Sequence, residues 1–170
     1  MAQRRGLPPR RRPLDVIVVI FLLVNIPIVL FLEAQAVLPS WLFPKFLQGL
    51  VKWHVRANGD FFMRDMPSYF KGIVLADLFF RLPLLFLNAK AFYYGKDWGR
   101  LTGILYGVHS TTSLVPLLSE IYLTHSAKKS RLLMVYVPHL VVSLYVLLRV
   151  LPVAHPFSTP YPYAKAGRRM

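Results

Sequence analysis

The chain has 170 residues, of which 55% are hydrophobic and 16% are charged, whereas soluble domains carry roughly 25% charged residues. The absence of cysteine excludes disulfides, thiol catalysis and cysteine-ligated metal. The net charge of +14 comes from basic residues in the tails and between the hydrophobic blocks, where anionic lipid headgroups lie, so we expect membrane lipids and not nucleic acid as partners.

The first predicted element is the segment 1–13, whose five arginines and three prolines predict a disordered cytosolic tail. Hydrophobic blocks follow at 16–32, 72–92, 101–119 and 132–148. A membrane span needs ~20 mostly apolar residues, so each block predicts one span. We predict an all-α integral membrane protein, a four-transmembrane-helix bundle, with spans at about 14–33, 70–92, 101–123 and 131–151. The transmembrane domain then covers 14–152, and 153–170 forms a second basic cytosolic tail.

The connection between the first two spans is too long for a simple turn. Apolar residues recur there at helical spacing with basic residues interleaved, at Leu42, Phe46, Leu50, Trp53 and Val55. This pattern predicts an amphipathic helix on the lumenal membrane surface or over the bundle, ended by an N-G-D turn at 58–60.

Charge asymmetry orients the predicted bundle. The basic first tail places the N-terminus in the cytosol by the positive-inside rule, and four spans return the C-terminus to the same side. One connection disagrees, because residues 125–131 would be lumenal yet contain Lys128, Lys129 and Arg131.

Each predicted span contains an internal proline: Pro27, Pro83, Pro116 and Pro138. Proline removes a backbone hydrogen bond and kinks a helix, although membrane helices tolerate it because neighbouring groups replace the lost bond. Prolines in all four spans favour a bundle splayed around a cavity.

Two carboxylates are expected to meet in the lumenal half of the bundle. Glu33 closes the first span, and Asp77 lies ~8 Å below the lumenal surface in the second. Two carboxylates in a low dielectric cannot both ionise cheaply, so one would hold a proton and hydrogen-bond the other. The pair would present one negative charge to a lipophilic ligand that carries a hydroxyl or a protonated amine. The alternative is that Asp77 pairs with Arg81 at i,i+4 and is neutralised within one helix.

Other polar residues are predicted in the same region. Tyr136 and His139 lie at ~6 and ~10 Å depth in span four, His109 lies near the midplane, and Asn25 lies about two turns from Glu33. Tyr136 offers a cation–π contact to an amine. An isolated intramembrane histidine is more often a packing residue than a ligand, and no metal-binding spacing occurs, so we expect no metal or cofactor.

Five stretches, taken in order, resemble one family: FLLVNIPIVLFLEAQAVLP, LVKWHVRANGDFFMRDMPSYFK, LADLFFRLP, LYGVHSTTSLVPLLS and VYVPHLV. They are similar to the sigma intracellular receptor 2 (sigma-2 receptor) family, whose EXPERA domain is distantly related to emopamil-binding protein, a sterol isomerase. The resemblance covers roughly residues 14–150. It implies a four-span bundle of the endoplasmic reticulum, both termini cytosolic, a pocket for sterols and lipophilic amines, and a homodimer.

The resemblance also implies roles for individual residues. The paired pocket acids fall on Glu33 and Asp77, with the two acid types exchanged between the helices, and a structural loop aspartate falls on Asp60. Three positions depart from the family: Asn25 replaces a histidine, His139 a tyrosine and Arg81 a glutamine. The full predicted ligand-binding set is Glu33, Asp77, Asn25, Leu32, Leu50, Arg81, His109, Thr112, Ser113, Tyr136 and His139.

Three functions remain open from the sequence. The first is a non-enzymatic sterol- or lipid-binding protein in sterol handling or intracellular cholesterol transport. The second is a sterol Δ8–Δ7 isomerase, for which Glu33, Asp77 and His109 supply proton-transfer groups. The three tryptophans of the chain read as interfacial, however, so the isomerase's intramembrane tryptophan is missing. The third is a factor assisting protein traffic or quality control, which no sequence feature tests.

Overall fold

The computed structural model describes residues 12–158, and within that range every regular element is helical. The helices are α1 Pro13–Phe31, α2 Lys45–Asn58, α3 Phe61–Asp65, α4 Ser68–Ala76, α5 Leu82–Tyr94, α6 Gly99–Leu123 and α7 Lys129–Val150. Short 3-10 turns lie at Glu33–Ala36 and Ser40–Leu42, and a π-helical turn, Asp77–Arg81, joins α4 to α5. Most of both predicted tails, 1–11 and 159–170, lies outside the described residues.

Four long helical units coincide with the four hydrophobic blocks: α1, the continuous α4–π–α5 helix, α6 and α7. Two segments, Pro13–Ala36 and Lys129–Val150, are long and apolar enough to cross a membrane by length and composition, with mean hydropathies of 2.8 and 1.9. Their outward side chains are apolar, as at Ile17, Ile20 and Leu148. These helices are compatible with membrane spans.

Apolar side chains form two core clusters along the bundle. One cluster joins α1, α5, α6 and α7 near the chain termini and includes Leu22, Leu85, Tyr106 and Val146. The other lies at the opposite end and includes Phe62, Val74, Ile121 and Leu132. We call α2 and α3, residues 45–65, the lid, because they cover this second end.

Three glycines let α6 approach its neighbours closely. A Cβ added at Gly107 would lie 2.7 Å from Leu147 Cβ on α7, and one at Gly99 would lie 2.3 Å from Ala91 Cβ on α5. Gly103 faces Val150 in the same way. This small-xxx-small spacing is typical of packed membrane helices, and our reading of the sequence did not identify it.

The helix predicted in the first connection is present as α2, which begins after Pro44. Gly59 ends it in the left-handed conformation at φ 70°, and Asp60 then caps α3 by accepting a 3.1 Å hydrogen bond from the Met63 N–H. Because glycine adopts positive φ without steric cost, it permits the sharp turn between the two lid helices.

The prolines differ in their local effect. Pro27, Pro116 and Pro138 lie inside α-helices as predicted, whereas Pro83 is the second residue of α5 and directly follows the π-turn. The Leu82 N–H reaches back to the Asp77 carbonyl, an i→i−5 bond. Because Pro83 has no N–H, it cannot restore the α-helical bonding there.

The boundary of the first predicted tail was wrong by two residues, because Arg12 and Pro13 belong to the folded unit. Arg12 is 2% exposed and donates to Asp15 Oδ2 at 3.0 Å and to the Phe92 carbonyl at 3.1 Å. Buried charges persist when they are paired and hydrogen-bonded, and the carbonyls at the end of α5 supply acceptors.

The first residues of the second predicted tail, 153–158, fold back onto the bundle. The Phe157 ring is 1% exposed and packs against Phe92 at 4.9 Å. The carboxylate of Asp97 accepts the backbone N–H groups of Phe157 and Ser158 at 2.9 and 3.2 Å. We call residues 153–158 the C-terminal clasp.

The basic connection that conflicts with the positive-inside rule has a structural role. Lys128 Nζ donates to the Arg56 carbonyl, and Arg131 donates to the Ala57 carbonyl at 3.4 Å. These carbonyls end α2, where cations are favourable for the helix dipole. The two side chains therefore join the α6–α7 connection to the lid.

Candidate functional site

A cavity of about 260 Å³ lies between α1, α4, α6 and α7 beneath the lid. Its walls are mostly apolar, and its charged groups gather around Arg81 and around Asp60. The lining residues are Ile28, Leu32, Glu33, Val51, His54, Asp60, Met63, Phe70, Ile73, Val74, Asp77, Arg81, Ser110, Ser113, Leu114, Leu117, Val135, Tyr136 and His139.

Arg81 bridges the two carboxylates at one end of the cavity. Its Nη1 donates to Asp77 Oδ2 at 2.7 Å, and the same nitrogen lies 3.6 Å from Glu33 Oε2. Arg81 and Asp77 are 7% and 5% exposed. Two carboxylates and one guanidinium carry one net negative charge when all are ionised, and the weaker contact leaves that charge nearer Glu33.

Two further side chains form hydrogen bonds with these charged groups. His109 Nε2 lies 2.8 Å from Asp77 Oδ1 and donates to it when Asp77 is ionised, because a carboxylate only accepts. Asn25 Oδ1 accepts from Arg81 Nη2 at 3.1 Å, while its amide donates to the Phe21 carbonyl at 2.8 Å. The charged groups are therefore positioned by α1 and α6 as well as by their own helix.

Glu33 and Asp77 do not form the predicted direct hydrogen bond, because Arg81 lies between the two side chains. Asp77 and Arg81 instead form the alternative, an i,i+4 ion pair within one helix. Asp77 begins the π-turn and Arg81 ends it. The Glu33–Ala36 turn brings the second carboxylate to the same guanidinium, a contact that helical spacing within one span does not predict.

A second group of polar side chains in the cavity is centred on Asp60. Its Oδ2 accepts from Tyr136 Oη at 3.1 Å and lies 3.1 Å from His54 Nε2, while Oδ1 caps α3. Asp60 is 1% exposed. Its oxygens are thus occupied by bonds within the lid and from the lid to α7.

His139 lies on the cavity wall in a defined orientation. Its Nδ1 donates to the Val135 carbonyl at 2.8 Å, since a carbonyl cannot donate. In the neutral ring Nε2 is then an acceptor. The ring packs edge-on against Phe21 at 5.0 Å.

Of the predicted ligand-binding residues, seven line the cavity: Leu32, Glu33, Asp77, Arg81, Ser113, Tyr136 and His139. Asn25 and His109 contact the charged groups but do not line the cavity. Leu50 and Thr112 do not line the cavity, since both are exposed on outer helix faces. Leu50 belongs to the apolar side of α2, which points away from the bundle.

The sequence reasoning missed two polar lining residues, Ser110 and His54. Ser110 lies one helical turn before Ser113 and therefore shares its face, a signal that was present in the sequence. His54 reaches the cavity only because the N-G-D turn folds the lid, which single-helix periodicity does not show. Within the described residues 12–158, no three metal-ligating side chains come together.

An apolar helical bundle with ion-paired polar groups around an internal cavity is compatible with a polytopic membrane protein. The sequence profile of "EBP: EXPERA (EXPanded EBP superfamily)" matches residues 46–150. The chain is 36% identical over 126 residues to "Sigma intracellular receptor 2" of Macaca fascicularis, with 74% of this chain and 72% of the relative covered.

The Homo sapiens protein of the same name is 35% identical over the same coverage, and that of Xenopus tropicalis is 34% identical over 139 residues, 75% of this chain and 81% of the relative. The chain therefore belongs to the EXPERA superfamily and, within it, to the sigma intracellular receptor 2 family.

Proposed function

We propose that the chain is a receptor-type protein of the endoplasmic reticulum membrane that binds a sterol or a lipophilic amine in the internal cavity and acts in sterol handling or intracellular cholesterol transport. The observation that carries this proposal is the cavity itself. Its walls are mostly apolar, and in the charged group around Arg81 the carboxylate of Glu33 is incompletely paired.

Glu33 is the group expected to receive the ligand. Its Oε2 is buried, has no hydrogen-bond donor within residues 12–158, and lies 3.6 Å from Arg81, whereas Asp77 is bonded to both Arg81 and His109. A buried acceptor without a donor costs ~1–3 kcal/mol, which a ligand hydroxyl or ammonium would recover. Apolar walls with a few convergent polar groups are typical of sites for small lipophilic molecules.

The membrane arrangement that accompanies this proposal has four spans: α1, α4 with α5, α6 and α7. Charges inside a bilayer cost ~2.5–3.5 kcal/mol each on insertion scales, and here they face the bundle interior and pair with one another. The arginine-rich first tail favours cytosolic termini, which would put the lid on the lumenal side. A homodimer and a role in protein traffic stay predictions.

An isomerase needs a proton donor and an aromatic group beside a developing cation, and for the second role the cavity offers Phe70 and Tyr136 but no tryptophan. Trp41, Trp53 and Trp98 are 79%, 65% and 46% exposed, and none lines the cavity. The relatives reported above are named as receptors. We therefore place binding ahead of catalysis, and conversion of a Δ8-sterol by the purified protein would reverse that order.

The test is equilibrium binding of a radiolabelled sterol and of a lipophilic tertiary amine to the purified full chain. Glu33→Gln removes the incompletely paired carboxylate, so affinity should fall about 10- to 150-fold, the equivalent of a charge-assisted hydrogen bond. Asp77→Asn should also weaken binding, because Arg81 would then neutralise Glu33.

The matched control is Asp65→Asn, an exposed acid paired with Arg64 outside the cavity. It should leave both affinities unchanged. Undiminished binding by folded Glu33→Gln and Asp77→Asn variants would refute the proposed site.

A further inference from the structure

A second cavity, of about 340 Å³, is lined by the two lid helices and by the turns that precede them. Its lining contains three basic side chains and no acidic one. The lining residues are Gln35, Ser40, Gln48, Val51, Lys52, Val55, Arg56, Met63, Arg64 and Met66. We call it the basic cavity, and neither the family membership nor the proposed ligand site accounts for it.

Lys52 and Arg56 supply the net charge of the basic cavity. They lie at i,i+4 on α2 and therefore on one helix face. Neither has an acidic partner within the described residues, whereas Arg64 is bonded through Nε and Nη2 to Asp65 at 2.8 Å. The basic cavity thus carries about two uncompensated positive charges.

Uncharged polar groups and neighbouring cations surround these charges. The amides of Gln35 and Gln48 are held in place by donating to backbone carbonyls, at 2.6–3.2 Å for Gln35 and 3.0 Å for Gln48. Lys128 and Arg131 add positive charge at the end of α2, close to Arg56. Basic side chains from the lid and from the α6–α7 connection therefore gather at one end of the bundle.

The neighbouring face of α2 and the turn before it point to a lipid as the source of the anion. Trp41, Phe46, Leu50 and Trp53 are 79%, 67%, 46% and 65% exposed. A helix with an exposed aromatic and aliphatic face flanked by basic residues lies in the membrane interface at the depth of the headgroups. A positive charge at that depth attracts an anionic headgroup in either leaflet.

We propose that the basic cavity binds the headgroup of an anionic phospholipid such as phosphatidylserine, with Lys52 and Arg56 as the cations that pair with its net negative charge. Val51 and Met63 line both this cavity and the internal cavity, so a bound headgroup lies beside the wall of the ligand site. The inference does not depend on which ligand the internal cavity takes.

The experiment is native mass spectrometry of the full chain in detergent, equilibrated with equimolar phosphatidylserine and phosphatidylcholine. Wild type should retain phosphatidylserine preferentially. In the variant Lys52→Gln/Arg56→Gln the preference should fall at least about 5-fold, the value expected for one lost charge near an anionic headgroup. The charge-conserving variant Lys52→Arg/Arg56→Lys should keep it.

The matched control is Lys71→Gln/Lys90→Gln, which removes two exposed charges from the α4–α5 helix. It should retain the wild-type preference, and circular dichroism should show native helix content in every variant. Equal retention of both lipids by wild type, or an equal loss in the control, would overturn the proposal. Inorganic phosphate that binds wild type in lipid-free micelles and abolishes the preference at low millimolar concentration would assign the site to a free anion and also refute it.

Discussion

Replacement of Arg81 by glutamine tests the central electrostatic arrangement. The change removes the cation that lies 2.7 Å from Asp77 and 3.6 Å from Glu33, and it leaves the Asn25 carbonyl without its donor. Breaking a buried ion pair by deleting one partner costs about 3–5 kcal/mol because the remaining charge stays buried.

The lower end of this range applies to Arg81→Gln for two reasons. His109 still donates to Asp77, so one acceptor is satisfied after the substitution. The side chain of Glu33 is 24% exposed, so water screens part of its charge. We therefore expect the free energy of unfolding to fall by about 3 kcal/mol.

The assay is unfolding in mixed micelles of increasing dodecyl sulfate content, followed by circular dichroism. Adding Asp77→Asn to Arg81→Gln should recover about 1 kcal/mol or more, since residues in one ionic network are coupled. Arg64→Gln, in an exposed pair, is the control and should leave unfolding unchanged. A loss below about 1 kcal/mol, or strictly additive single and double variants, would refute the bridging role of Arg81.

Three further predictions concern the rest of the fold. Burial acts to raise the pKa of Asp97, but hydrogen bonds from the C-terminal clasp outweigh it and hold the pKa below its usual value of 3.8. The stability that ionised Asp97 contributes is therefore present above pH 3.8 and is lost as the pH falls through the lower pKa of the folded state. A spin label in the clasp should become mobile at acidic pH, and Asp97→Asn should abolish this dependence; a label equally immobile at low pH would contradict it. Gly107→Ala should destabilise by about 1–3 kcal/mol through overpacking against α7 in the same unfolding assay, whereas Gly49→Ala, in open space on α2, should be neutral or stabilising. Asp60→Ala should cost about 3 kcal/mol, from a lost helix cap and two unpaired donors, and a cost no larger than the cap alone would show that these bonds do not join the lid to α7.

The helices themselves were predictable from the sequence because each consists of a long apolar run. Each long helical unit begins and ends within about two residues of the corresponding predicted segment. For example, α6 covers Gly99–Leu123, and the predicted segment is 101–123. The N-G-D turn and the helix before it were also predictable, because glycine and aspartate have strong local preferences at helix ends. Local propensity and hydropathy act within a few residues, so no tertiary information was required.

The candidate site was predictable only in part. Charged and polar residues in apolar helices face inward because lipid cannot solvate them, which is why Glu33, Asp77, Arg81 and His139 all reach the internal cavity. Leu50 was misplaced because an amphipathic pattern does not say which face meets the bundle when both the bundle and the membrane are apolar. The C-terminal clasp was missed for a related reason, since a short, proline-containing segment has no periodic signal.

By itself, the sequence determined a helical membrane protein with acids placed near one end, because hydropathy and charge are properties of each segment. Only the tertiary structure decided which groups share a charge. The π-turn and the Glu33–Ala36 turn bring two carboxylates to one guanidinium, and the fold of the lid closes the cavity above them. The Asp77–Arg81 pair follows from i,i+4 spacing, but the contact with Glu33 depends on a distance of a few ångströms between separate helices, which no spacing along a single helix contains.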